Sequence, residues 1–237
     1  MKSKKIEAFR YAFLQTIPVL CGYLFLGMAF GILLENAGYG VSWALLISLV
    51  VYAGSMQFVM VTFLTGGTNL LTVALMTLSI NSRHMFYGLS FVEAFKKMGK
   101  KGLYMIFSLT DETYSVLCGT KVQKGMNEEE VQFYMAILNH SYWIVGSIIG
   151  AFIGNKIPFD TTGIDFAMTA LFVVIFIEQW LGSKFHLPAV IGISCAVISL
   201  LLFGKDRFML PALIGAVISL MMVEKRIMRK EGKADAN

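Results

Sequence analysis

The feature that most constrains this chain is a succession of long apolar runs, punctuated by Gly, Pro, Asn or charged residues, that continues almost to its end. A helix needs about 20 mostly apolar residues to cross a hydrocarbon core of about 30 Å. Runs of that kind fall near 12–34, 41–64, 69–92, 102–119, 131–154, 164–182, 187–203 and 208–223, which leaves little chain for anything else. Hydrophobic residues make up 57% and charged residues 15%, against about 45–50% and 25% in soluble domains. The expected fold is all-α: a polytopic integral membrane helical bundle with about seven to eight transmembrane segments, forming one transmembrane domain over residues 1–237.

The formal charge of +5 does not point to nucleic acid, because the basic residues sit between apolar runs without aromatic interleaving. Lys2, Lys4, Lys5 and Arg10 form an N-terminal arm (1–10). Lys96, Lys97, Lys100 and Lys101 form a second cluster, and Lys225, Arg226, Arg229, Lys230 and Lys233 mark a tail (224–237). Basic clusters flanking spans are typical of cytoplasmic ends beside anionic lipid. Both termini are therefore expected in the cytoplasm, and the chain in the cytoplasmic (inner) membrane as a multi-pass protein. The run from Tyr11 to Leu34 is too long for a signal peptide and lacks a small-residue cleavage site. Cys21, Cys118 and Cys195 match no zinc or redox spacing and read as packing residues.

Two runs carry ionisable groups near their centres. The third contains Asn81-Ser82-Arg83-His84 and the fourth Thr110-Asp111-Glu112-Thr113. A charge at mid-bilayer costs at least about 2.5–3.5 kcal/mol, so such groups face protein or a water-filled cavity. If all eight runs cross, Lys96 to Lys101 fall outside; if runs three and four dip in and return, all three basic clusters are cytoplasmic. Both topologies stay open, so discontinuous or re-entrant helices are expected. A weak internal repeat also shows: Tyr23-x3-Gly27-x3-Gly31 matches Tyr142-x3-Gly146-x3-Gly150, and Gln57-Phe58 and Gln179-Trp180 follow each. Repeats of this kind underlie many secondary transporters, with sites at the repeat interface.

The Gly-x3-Gly pairs read first as faces where helix backbones approach closely. In Tyr52-Ala-Gly54-Ser55-Met-Gln57-Phe58, small residues precede an amide. Gln57 alone reads as a bridge between helices, but loosening at Gly54-Ser55 would free backbone groups to meet a zwitterion. Arg83 fits either a substrate carboxylate or an ion pair with Asp111 or Glu112. His84 suits a proton relay or a hydrogen-bonded core position. Adjacent on a helix, Asp111 and Glu112 point about 100° apart and are expected to do different jobs. Asn139-His140-Ser141-Tyr142-Trp143 is a polar and aromatic cluster in an apolar run. Glu128 to Glu130 read as an exposed first turn, and Glu178-Gln179-Trp180 as an interface with an aromatic anchor. No Walker A, HExxH or GxSxG sequence is present.

Together, Tyr52 to Phe58, Asn81-Ser-Arg83-His84-Met-Phe-Tyr87-Gly88, Thr110-Asp-Glu112-Thr-Tyr114 and Asn139-His140-Ser-Tyr-Trp143 resemble the AzlC family of branched-chain amino acid exporters. That family includes the large subunits of the AzlC/AzlD and YgaZ/YgaH pairs. The likeness runs from about residue 8 to 225. It implies export of leucine, isoleucine and valine in partnership with a small hydrophobic AzlD-like subunit. It also implies functional roles for Gln57, Asn81, Arg83, Asp111, Glu112, Asn139 and His140. The reading is a proton- or ion-coupled secondary transporter, not an enzyme, with no cofactor and no metal. Its substrate contacts are expected from Tyr52, Gly54, Ser55, Gln57, Asn81, Arg83, Asn139 and Trp143, and its coupling groups are Asp111, Glu112, His84 and His140. The rivals are a membrane-embedded enzyme built on the His, Asp and Glu side chains, and a passive channel.

Overall fold

A computed structural model describes residues 2–123, 125–156, 173, 176–177, 180–181, 186–204, 208, 211–212 and 214–223, apart from the side chains of 2–4, 79, 83, 85 and 86. Among the described residues there is no β-strand. The chain forms two compact units, Met1–Met168 and Thr169–Asn237. The first holds α1 (Lys2–Asn36), α2 (Val41–Val50), α3 (Gly54–Gly66), α4 (Leu70–Lys97), α5 (Lys100–Phe107), α6 (Asp111–Gly119) and α7 (Glu128–Lys156). The second holds α8 (Leu187–Phe203) and α9 (Ile214–Val223), where Cys195 Sγ lies 3.9 Å from Ser219 Oγ. The expected span 164–182 lies mostly outside the described residues, and the basic tail wholly so.

Among the described residues, α1 and α7 are long and apolar enough to cross a membrane. The N-terminal basic stretch is not a separate arm but the first turns of α1. Large apolar side chains cover the outside: Phe25 is 70% exposed, Leu103 73% and Leu70 84%. Exposed large apolar side chains in this number suit contact with lipid or protein better than with water.

The two long helices run parallel. At one end Lys5 Nζ is 3.9 Å from Glu130 Oε1 and the rings of Phe9 and Tyr134 are 5.6 Å apart. Further along, Thr16 Oγ1 is 3.1 Å from the Tyr142 hydroxyl, and at the other end Asn155 Nδ2 donates to Glu35 at 2.8 Å. Both Gly-x3-Gly motifs lie in this contact, facing each other. A Cβ on Gly27 would sit 3.0 Å from the Ser147 amide, and one on Gly146 2.9 Å from the Leu24 carbonyl. At Gly31 and Gly150 it would collide outright with the Ser147 and Met28 carbonyls. Small residues let the backbones touch, as at close crossings between membrane helices.

Between α1 and α7 lie two helical hairpins of opposite sense. From the C-terminal end of α1, α2 runs back to place Ser48 and Tyr52 beside His140, halfway along α7. The helix then breaks at 51–53, where Tyr52 has φ +41, before α3 returns. Phe58 packs on Phe30, and the Tyr39 hydroxyl donates to the Leu64 carbonyl, so the hairpin ends where it began. The second hairpin enters from the opposite end. The Lys101 ammonium sits 4.9 Å from the Phe133 ring near the start of α7, and α5 climbs to bring Phe107 5.8 Å from His140. After a break at Ser108–Thr110, α6 descends until the Tyr11 hydroxyl donates to the Lys121 carbonyl. At 1.5 Å per residue, the 8 residues of α5 and 9 of α6 span only about 12–14 Å each, and the 10 of α2 and 13 of α3 about 15–20 Å.

Here the structure departs from the pattern expected for run three. That run is not broken at Asn81-Ser82-Arg83-His84; α4 passes through it as one 28-residue helix of about 42 Å. Polarity alone does not break a helix, and those four residues include neither Gly nor Pro. The hairpins are runs two and four. Their breaks occur where Gly54 follows a strained Tyr52 and where Thr110 caps a new helix.

Candidate functional site

The two hairpin tips meet beside the middles of α1 and α7. On the first tip, the end of α2 leaves carbonyls without an amide four residues on. His140 Nε2 lies 3.1 Å from the Ser48 carbonyl. A carbonyl can only accept, so Nε2 carries the proton, and in the neutral ring Nδ1 accepts from the Tyr104 hydroxyl at 2.9 Å. His140 thus ties α2 to α5 from α7. Gln57 serves the other side of the break. Its Oε1 accepts both the Ala53 amide at 3.2 Å and Trp143 Nε1 at 2.9 Å, while its Nε2 donates to Ser48 Oγ at 3.4 Å.

On the second tip, Thr110 is the N-cap of α6: its hydroxyl accepts from the Thr113 amide at 3.3 Å, as short polar residues do at helix starts. Asp111 and Glu112 then occupy the first turn, where the helix dipole favours negative charge and offsets part of its burial cost. They diverge as their spacing predicts. Asp111 Oδ1 lies 3.6 Å from His84 Nε2 on α4, both side chains being 25% exposed. Glu112 Oε2 accepts from the Tyr23 hydroxyl of α1 at 2.7 Å. That hydroxyl is also 2.7 Å from Thr110 Oγ1; Thr110 donates to Thr113 Oγ1 at 3.1 Å, and Asn139 Nδ2 donates to the same oxygen at 3.1 Å. Asn139 is fully buried and its Oδ1 has no hydrogen-bond partner, which marks a place for a donor.

Aromatic rings fill the space between the tips. Tyr23 packs edge-on against Tyr52 and Trp143, with centroids 6.4 and 5.3 Å away, and Tyr52 lies 4.1 Å from the His140 ring. A Cβ on Gly54 would be 3.3 Å from the Trp143 ring, so glycine lets the start of α3 approach α7.

Of the residues singled out from sequence, Tyr52, Gly54, Gln57, Asn139, His140, Trp143, Asp111 and Glu112 thus converge on this meeting point, joined from α4 by His84. Ser55 is buried in the first turn of α3. Asn81 lies on α4 with its Oδ1 buried. The side chain of Arg83, and Glu178 and Gln179, lie outside the described residues. Sequence reading missed Tyr23, Ser48, Tyr104 and Thr110 as parts of the network. Thr110 before two acids is a legible N-cap, and Tyr23 stood in view inside the glycine motif; nothing local marks Ser48 or Tyr104. Among the described residues no three His, Cys, Asp or Glu side chains converge as metal ligands.

A family model described as AzlC protein matches residues 18–157. The branched-chain amino acid transport protein AzlC of Bacillus subtilis (strain 168) is 41% identical over 229 residues, covering 97% of this chain and 90% of that protein. A membrane protein of Helicobacter pylori (strain J99) is 41% identical over 222 residues, covering 94% and 97%. The inner membrane protein YgaZ of Escherichia coli (strain K12) is 26% identical over 213 residues, covering 86% and 84%. No solved structure matches the chain.

Proposed function

We propose that this chain, which belongs to the AzlC family, transports branched-chain amino acids across a lipid bilayer, with the meeting point of the two hairpins as its substrate site. The observation that carries this reading is the pair of half-length helices, α3 and α6, whose N-termini approach mid-depth from opposite ends between two parallel long helices. Broken helices of this kind present backbone groups and helix ends to a substrate without exposing them to lipid.

In this reading α1, α4 and α7 cross the membrane, and each hairpin re-enters from one side. The N-terminal lysines and Lys96 to Lys101 then share the cytoplasmic side, in line with the positive-inside bias. A substrate carboxylate faces the start of α3 at Gly54 and Ser55. Its ammonium faces Glu112 and the buried Asn139 Oδ1. Asp111 and Glu112, with His84 and His140 close by, supply the titratable groups for proton coupling, and transport runs outward. A small hydrophobic subunit of the AzlD type completes the unit in the cytoplasmic membrane. The test is uptake of labelled leucine into inverted vesicles, with and without a pH gradient. Accumulation that collapses with the gradient is expected; equilibration alone, unaffected by the gradient, would make the protein a passive channel.

A further inference from the structure

Tyr52 is the only non-glycine residue with positive φ among the described residues. At φ +41 a tyrosine clashes with its own backbone, a conformation costing on the order of 1–3 kcal/mol that persists only where the surroundings enforce it. Asn or Gly would fit such a turn with less strain. The strain therefore holds a large ring in a particular place. Tyr52 is 3% exposed and sits at the apex of the first hairpin. Its ring meets His140 of α7 at 4.1 Å, Phe107 at the apex of the second hairpin at 6.3 Å, and Tyr23 of α1 at 6.4 Å, while its buried hydroxyl has no hydrogen-bond partner. One side chain thus fills the gap between two apices that approach from opposite ends.

The geometry points to Tyr52 as a plug: its ring closes the mid-depth passage between the two hairpin tips, and solute passes only when the tips part and carry the ring aside. This rests on the transport reading above and adds to it a closing element. The hairpins suit movement, since each apex is held to the long helices by aromatic contacts and a few side-chain hydrogen bonds. By contrast, α1 and α7 lock backbone to backbone through four glycines. Closure by a ring on a strained turn also explains why a less strained residue would not serve.

Full-length chain in proteoliposomes tests this by passive leak of labelled urea, a small polar solute unrelated to any cargo, beside leucine flux. Tyr52→Gly relieves the backbone strain and removes the ring. It should elute from size exclusion like the parent yet leak urea at least tenfold faster, whereas Tyr52→Phe, which keeps the ring, should leak at the parent rate. A folded Tyr52→Gly protein no leakier than the parent would overturn the plug. Should Tyr52→Gly not fold, Tyr52→Cys in a background with Cys21, Cys118 and Cys195 changed to Ser decides. With the ring gone, its thiol should react with a small charged thiol reagent at a rate near that of a cysteine placed at Gly99, and a folded variant whose thiol resists the reagent from both sides would overturn the proposal. A parent protein that moves no leucine while only Tyr52→Gly leaks would refute the cargo assignment and leave the plug intact.

Discussion

The Tyr23 hydroxyl donates to Glu112 Oε2 at 2.7 Å, binding a carboxylate on the second hairpin tip to the long helix α1. Because α1 and α7 meet through glycine, this bond attaches a short, separately built hairpin to the stiffest part of the first unit. Tyr23→Phe keeps the ring packing on Trp143 and removes only the hydroxyl. A hydrogen bond to a charged group contributes about 1.5–3 kcal/mol, so thermal unfolding in detergent should show a loss of that order. An unchanged melting temperature would mean that the bond holds nothing in place.

The glycine face makes a sharper stability prediction. A Cβ on Gly31 or Gly150 would run into backbone that cannot step aside, whereas one on Gly22 of the same α1 meets nothing within 4 Å. Gly31→Ala and Gly150→Ala should therefore lose about 1–3 kcal/mol through forced separation of the helices. Gly22→Ala should be neutral or gain up to about 1 kcal/mol from helix propensity. Equal melting temperatures for the three variants would contradict the parallel contact between α1 and α7.

How much of this was legible in the sequence depends on what local chemistry fixes. The helical class follows from the apolar runs, and the polar residues of the site follow from their cost in an apolar setting. The glycine pairs were readable as contact faces, but not that they face each other, since pairing is a property of two distant segments. Charge as the mark of a break points to runs three and four as the hairpins in one of the two topologies that the sequence leaves open. At Thr110 to Thr113 charge does coincide with a break in the helix. At Asn81 to His84 it does not, because an uninterrupted i to i+4 ladder carries polar side chains as readily as apolar ones. The break at Tyr52 was hinted at by Gly54 and Ser55, although the strained residue itself is a tyrosine, which sequence preference argues against.

Gln57 accepts two donors at once, so its loss should exceed the loss of either donor. Gln57→Leu strands both the Ala53 amide and Trp143 Nε1 in a buried setting, at about 1–3 kcal/mol each. Trp143→Phe removes one donor and leaves Gln57 bonded to Ala53. In a double-mutant cycle the second substitution should cost less in the presence of the first, with a coupling of about 0.5–3 kcal/mol. Strict additivity would separate the two side chains.

The hairpin topology predicts which loops share a side. A cysteine at Gly99, in a background with the native cysteines changed to Ser, should be shielded from an impermeant maleimide on intact cells and labelled in inverted vesicles. A cysteine at Gly67, at the far end of α3, should behave in the opposite way. Labelling at Gly99 from the outside with Gly67 shielded would require runs two and four each to cross and would restore eight spans.

The two acids should separate by phenotype because their partners lie on different helices. Asp111 faces His84 on α4, so Asp111→Asn and His84→Gln both dissolve one pair. The double variant should then be little worse than either alone, in leucine transport and in melting temperature. Glu112 instead anchors to Tyr23, so Glu112→Gln keeps an acceptor for that hydroxyl while removing the exchangeable proton. It should still fold and exchange leucine for leucine across the membrane, which needs no net proton movement, yet lose accumulation driven by a pH gradient. Exchange without accumulation in Glu112→Gln alone would assign coupling to Glu112, and the same result in Asp111→Asn alone would assign it to the His84 pair. Full gradient-driven accumulation in both variants would leave both carboxylates as structural groups, held at the start of α6 by its helix dipole and by their partners.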